Sequence, residues 1–126
     1  MNLQAFHHVA IIVSQYERSK RFYTELLGFP VLRETYRQES ESWKLDLQFG
    51  EGELEIFCFP SSPSRLTYPE ACGLRHLAFK TGSIEKDAAE LQEKGIRTEP
   101  IRIDPLTGGK YTFFFDPDGL PLELHE

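Results

Sequence analysis

The chain is poor in the features that would make several function classes easy to assign. It has two cysteines among 126 residues. Cys58 and Cys72 lack CxxC spacing, so neither a disulfide framework nor a cysteine-rich metal knuckle is available. No apolar run approaches the ~18 residues of a membrane helix, and no cationic segment followed by an apolar stretch opens the chain. Basic residues are the minority and are dispersed: net charge is −6. That opposes the clustered positive surface that grips nucleic-acid phosphates. These absences lead to the expectation of a cytoplasmic protein with reduced thiols and no nucleic-acid or membrane partner. The length suits one compact domain with a sizeable core.

What is present is a repeat. His8 and Glu55 stand 47 positions apart, and His76 and Glu123 stand 47 apart; the second pair is the first displaced by 68. Each of the four lies in an apolar, strand-like stretch: FHHVAIIV, ELEIFCF, LRHLAF and PLELHE. The flanking segments repeat as well. In the first module (about 1–62) a β-branched and aromatic opening predicts a strand. Ser14 with Glu17 predicts a capping box. Tyr16, Ser19 or Lys20, Tyr23, Leu26 and Leu27 follow helical spacing, and Gly28 stops the helix. Strands are expected near 29–37, 42–50 and 53–60, with GEGE at 50–53 as a hairpin turn. Residues 60–70, with three prolines and three serines, read as a linker. The second module (about 71–126) restarts with a strand at LRHLAFK, Ser83 as cap, IEKDAAELQEKG as helix and Gly95 as stop. Further strands are expected near 96–101, 110–115 and 120–125, with Asp116-Pro117-Asp118-Gly119 as a turn. The expected fold is α+β, two tandem βαβββ modules whose sheets form a curved mixed surface around a cleft.

Neutral imidazoles and carboxylates together suit borderline divalent metals, and an N₂O₂ set with open positions can polarise a carbonyl oxygen. Any one strand histidine is usually structural, and any one strand glutamate usually faces solvent. Four that obey a single offset point to a shared site. His7 has no counterpart, since position 75 is Arg, and strand alternation is expected to turn it away from His8. Glu53 and His125 share faces with Glu55 and Glu123 and are candidates for supporting roles. Trp43, Phe57 and Phe59 suit an apolar cavity or ordinary core. Phe113-Phe114-Phe115 suits core on one face and pocket wall on the other. Arg33, Arg37 and Lys44 suit an anionic substrate or a solvated face, and Thr107-Gly108-Gly109-Lys110 is a flexible turn.

The segments HHVAIIV, SKRFYTELLGF, ELEIF, LRHLAF and FFFDPDGLPLEL resemble the vicinal oxygen chelate superfamily of glyoxalase I, bleomycin-resistance proteins and dioxygenases, over essentially the whole chain. The resemblance implies a metal-binding cleft and, in many small members, a homodimer. It places His8, Glu55, His76 and Glu123 on the four metal-ligand positions. It also implies a divalent ion, with Ni, Co or Zn favoured and Mn or Fe as alternatives. A Glu at the second position is similar to bacterial glyoxalase I. Epimerase-like members usually carry Gln there, thiol transferases and dioxygenases use His/His/Glu, and bleomycin-binding members lack the ligands. Glutathione-dependent members have Arg and Asn where this chain has Ile12 and Phe59, which removes polar contacts to the tripeptide. The SWK and EACGLRHLAF segments are similar to a short glyoxalase-like branch. The implied activity is a lyase or isomerase acting on a small α-oxygenated carbonyl compound or its thiol adduct, with Glu123 or Glu55 moving the proton. The alternatives are a metal-dependent dioxygenase or epimerase, or a non-catalytic small-molecule-binding module.

Overall fold

A computed structural model describes residues 1–126, which divide into two compact units, 1–64 and 65–126. The first unit runs β1 (His8–Ile12), α1 (Tyr16–Arg21), β2 (Val31–Arg37), β3 (Ser42–Phe49) and β4 (Gly52–Cys58). The helix continues as a π-helical turn, Phe22–Leu26, and a 3-10 turn at Gln38–Ser40 links β2 to β3. The second runs β5 (Leu77–Lys80), α2 (Ile84–Glu93), β6 (Arg102–Ile103), β7 (Lys110–Phe115) and β8 (Pro121–His125). Strand orders are β1-β4-β3-β2 and β5-β8-β7-β6. In each sheet the strand before the helix pairs in parallel with the last strand, and the other ladders are antiparallel. Both units are therefore βαβββ modules with mixed four-stranded sheets.

Alternation along the strands divides each sheet into an apolar face and a chemically mixed one. In the first unit Ile11, Leu45, Leu47, Leu54 and Ile56 are buried together with Tyr16, Phe22 and Tyr23 of the helical segment. Burying each such side chain contributes ~1.5–3 kcal/mol. In the second unit α2 packs on β7 and β8, burying Ile84, Ala88, Leu91, Phe114, Leu122 and Leu124. Leu27 N–H donates to Phe22 O and Phe29 N–H to Tyr23 O, closing the first helix over Gly28 at φ +81°. The left-handed conformation there is cheap only for glycine.

Two sequence expectations are corrected, and a third, Ser83 as a cap, holds in position only. The Ser14–Glu17 capping box does not form. The helix begins at Tyr16 with Gln15 at the cap and no capping side chain, and Ser14 Oγ instead accepts from Arg18 at 3.2 Å. Ser83 occupies the cap of α2 without a side-chain cap bond. The Thr81 hydroxyl instead accepts from Ser83 N–H at 3.0 Å and also bonds Asp87. The strand expected at 96–101 is reduced to a Thr98–Phe114 bridge, a Glu99 N–H to Phe113 O bond and the two-residue β6. Pro100 has no N–H, so the ladder cannot run through it.

Candidate functional site

The parallel pairing of first and last strands brings each histidine to its glutamate. In the first unit Ala10 lies opposite Glu55 and His8 opposite Glu53. His8 Nε2 is 3.4 Å from Glu55 Oε2. In the second, Ala78 lies opposite Glu123, and His76, just ahead of β5, sets Nε2 3.0 Å from Glu123 Oε2. Two donors on one ion at ~2.0–2.2 Å stand ~3.0 Å apart at a right angle and ~3.4 Å apart at a tetrahedral angle. Both pairs therefore have the spacing of two ligands on one ion, and their imidazole and carboxylate donors suit a borderline divalent metal.

Local devices fix each histidine. Glu53 N–H donates to His7 O at 3.1 Å, and a Cβ on Gly52 would sit 3.2 Å from that same oxygen, so glycine permits the close approach. Upstream of His76, the Arg65 guanidinium donates to Leu74 O at 2.9 Å and Arg75 O at 3.0 Å. The strand bearing Glu123 enters through a tight turn. Buried Asp116 accepts from Asp118 N–H and Leu120 N–H, each at 2.9 Å, and Gly119 takes φ +81°.

The two pairs sit in different surroundings. Antiparallel register puts Asp46 opposite Glu55 and Arg33 opposite Asp46. Lys44 Nζ lies 3.0 Å from both Asp46 Oδ1 and Glu55 Oε1, and Arg33 reaches Asp46 at 3.3 Å and Glu53 at 3.2 Å. The hydrogen bonds to Glu55 and then to Asp46 hold the Lys44 ammonium above its ordinary pKa. In the second unit Phe113 occupies the place opposite Glu123, and its ring meets His76 edge-on at 5.3 Å. One carboxylate is embedded among charges and the other beside an aromatic wall.

Sequence reasoning missed Asp46. The signal was there: KLDLQ and ELEIF both alternate charged and apolar residues, and a two-residue hairpin between them sets Asp46 against Glu55. His7 is a correction. It precedes the first strand residue, so no pleat separates it from its neighbour, and its Nδ1 lies 2.9 Å from His8 Nδ1. Glu53 is engaged by Arg33, while His125 stacks on Tyr111 with ring centroids 6.3 Å apart. Trp43 belongs to the helix-covered face, stacked on Tyr16 at 4.6 Å, whereas Phe57 and Phe59 stack on each other at 6.1 Å.

Residues 5–124 match the Glyoxalase/Bleomycin resistance protein/Dioxygenase superfamily. The chain belongs to that superfamily. The Bacillus subtilis (strain 168) protein YwkD is 61% identical over 127 residues, covering 100% of this chain and 99% of that one. The crystal structure of a glyoxalase family protein from Enterococcus faecalis superposes with a TM-score of 0.95 at 60% identity, covering the whole of both chains. The Arabidopsis thaliana protein Glyoxylase I 4 is 29% identical over 130 residues, 98% of this chain and 71% of that protein. The superfamily includes many enzymes and is generally metal-dependent. No helix of this chain is long and apolar enough to cross a membrane.

Proposed function

We propose that this member of the superfamily is a divalent-metal-dependent lyase or isomerase of glyoxalase I type, acting on a small α-oxygenated carbonyl compound or its thiol adduct. The observation that carries the reading is the pair of N···O spacings, 3.4 Å at His8–Glu55 and 3.0 Å at His76–Glu123, each matching two ligands of one ion. The four side chains are proposed to hold one ion, with Ni, Co or Zn favoured. The likeness to Glyoxylase I 4 supports the reaction type. Ile12 and Phe59 argue against glutathione as the partner thiol, and a homodimer in the cytoplasm is the proposed working form.

When bound, a divalent ion polarises a carbonyl oxygen and acidifies the neighbouring C–H. The chain's own residues then move the proton. His8 and His76 hold position through Nε2. Lys44 at Glu55 Oε1, 3.0 Å away, anchors that carboxylate. Glu123 meets His76 Nε2 at 3.0 Å with Phe113 opposite, and no lysine or arginine pairs with it as Lys44 does with Glu55. Glu123 is therefore assigned as the base that accepts the proton from carbon and returns it to the adjacent carbon, with Glu55 as the fixed ligand and secondary candidate. Phe113 beside the pair helps exclude water that would exchange the proton.

The test is isomerisation of methylglyoxal hemithioacetals, formed with several thiols, by protein reconstituted with Ni, Co and Zn. Glu123→Gln retains metal and loses about 10²–10⁴ in rate, the usual scale of general base catalysis. Glu55→Gln weakens metal binding and slows the reaction less. Absence of wild-type turnover with all three metals and every thiol sinks the reading.

A further inference from the structure

Two cations on the mixed face of the first sheet have binding capacity that the protein does not use. Arg37 on β2 donates through Nε to Ser42 Oγ at 3.2 Å. A guanidinium carries five N–H donors, so the four on its terminal nitrogens meet no protein acceptor. Its carbon lies 5.3 Å from the centroid of Phe57 and 5.9 Å from that of Phe59, whose rings stack in parallel. Lys44 Nζ lies 5.8 Å from the centroid of the same Phe57. The two cations are thus at most about 11 Å apart across one ring. Two of the three ammonium protons face Asp46 and Glu55, leaving the third open.

The charge count on this face makes that capacity meaningful. Arg33 and Lys44 pair with Asp46, Glu53 and Glu55, and the unpaired Arg37 brings the charge of the face to balance before any metal arrives. A divalent ion held at His8 and Glu55 adds two positive charges to this balanced face. A site whose carboxylates only neutralised the ion would suit a neutral substrate. This one, in a chain of net charge −6, is locally positive once loaded. The Phe57 and Phe59 rings flank the guanidinium at 5.3 and 5.9 Å, and its planar fork suits bidentate contact with a carboxylate or phosphate.

We propose that Arg37, with the open proton of Lys44, forms an anion subsite beside the His8–Glu55 pair, so that the substrate is an α-oxygenated carbonyl compound bearing a carboxylate or phosphate. This rests on the metal reading above.

The experiment compares three probes that share an α-hydroxyketone head: dihydroxyacetone, its monophosphate and 5-hydroxy-4-oxopentanoate. Each is titrated calorimetrically into Co(II)-loaded protein while the visible Co(II) spectrum reports whether the head reaches the metal. Expected is at least 10-fold tighter binding of one or both anionic probes than of dihydroxyacetone. Which of them gains distinguishes phosphate from carboxylate. Arg37→Gln should abolish the advantage while leaving dihydroxyacetone affinity and the metal spectrum unchanged. Arg37→Lys should restore part of it. If the protein takes up Co(II) and dihydroxyacetone perturbs its spectrum, but the anions hold no advantage, the subsite is wrong and the metal reading stands. An Arg37→Gln variant that weakens all three probes equally and lowers the melting temperature shows a packing role and overturns the subsite. Failure to bind Co(II) overturns both.

Discussion

At Glu55 three carboxylates are crowded together: Asp46, Glu53 and Glu55 each present an oxygen within 4.8 Å of the others. At ~4 Å and an effective dielectric of ~20, each like-charge pair costs about 4 kcal/mol before solvent screening. Lys44, with 27% of its side chain exposed, and Arg33 supply the compensation. Lys44→Gln leaves buried Asp46, 1% exposed, with only the Arg33 contact. The metal-free variant should lose roughly 2 kcal/mol of stability, less than the 3–5 kcal/mol of a fully buried broken pair because the site is partly hydrated. A divalent cation at the proposed His8–Glu55 position would replace the missing charge. Millimolar Mn or Ni should therefore raise the melting temperature of the variant more than that of the wild type, as read by thermal unfolding with and without metal. Equal shifts in the two proteins would show that Lys44 does not balance this cluster. Residue type in the sequence identified the ligand candidates. It did not show this balance, because whether Lys44 faces solvent or Glu55 depends on which strand lies opposite.

At the level of elements, the tie between α1 and β2 is ionic. Tyr16 donates to Glu34 at 2.5 Å, and Lys20 meets the same Oε2 at 2.5 Å. The hydrogen bond from Lys20 and then that from Tyr16 hold the Glu34 carboxyl below its usual value of 4.5. Burial, then the Glu34 bond, pushes the Tyr16 hydroxyl upward, and Lys20 rises chiefly through its bond to Glu34. A depressed carboxylate adds stability that is complete above its unfolded pKa and lost as pH falls through the folded value; the raised Lys20 adds stability lost only at strongly alkaline pH. Lys20 and Glu34 are about one-third exposed, so solvent limits the contribution to about 1 kcal/mol. Glu34→Gln should therefore reduce denaturant stability by about that amount at pH 7, with the gap closing below pH 4. The elements themselves were largely legible. β-branched and aromatic content located β1, the repeat and its turn signals located β3, β4, β7 and β8, and Gly28 and Gly95 marked the helix ends. Caps were less so, because Ser14 and Ser83 have the right side chains but Arg18 and Thr81 alter the local bonding. The 96–101 strand failed at Pro100, which has no N–H to donate to a ladder.

At the scale of the molecule, the 68-residue offset holds for the strands that pair in parallel, β1 with β4 and β5 with β8, and fails between them. The turn before β8 is longer than the two-residue hairpin before β4, so Phe113 rather than Phe114 takes the place equivalent to Asp46. The His–Glu pairs keep the offset while the hairpins between them differ, which explains why the sequence identified the pairs but not their contrasting surroundings. Each pair offers one nitrogen and one oxygen, too few donors to retain a divalent ion firmly, whereas the four-donor set proposed above is complete. Equilibrium dialysis with Ni or Co should thus find one tightly held ion per chain. His8→Ala or His76→Ala alone should weaken that binding by about 10²-fold or more, and the double variant should lose little beyond either single, because removing one donor already breaks the shared set. Saturation at 100 times Kd adds about 2.7 kcal/mol to the wild type, a melting-temperature rise of roughly 10 °C that either single variant forfeits at the same free metal. Two weak ions per wild-type chain, with each single variant keeping one, would show instead that the pairs act as separate sites and would remove the basis for a shared catalytic metal.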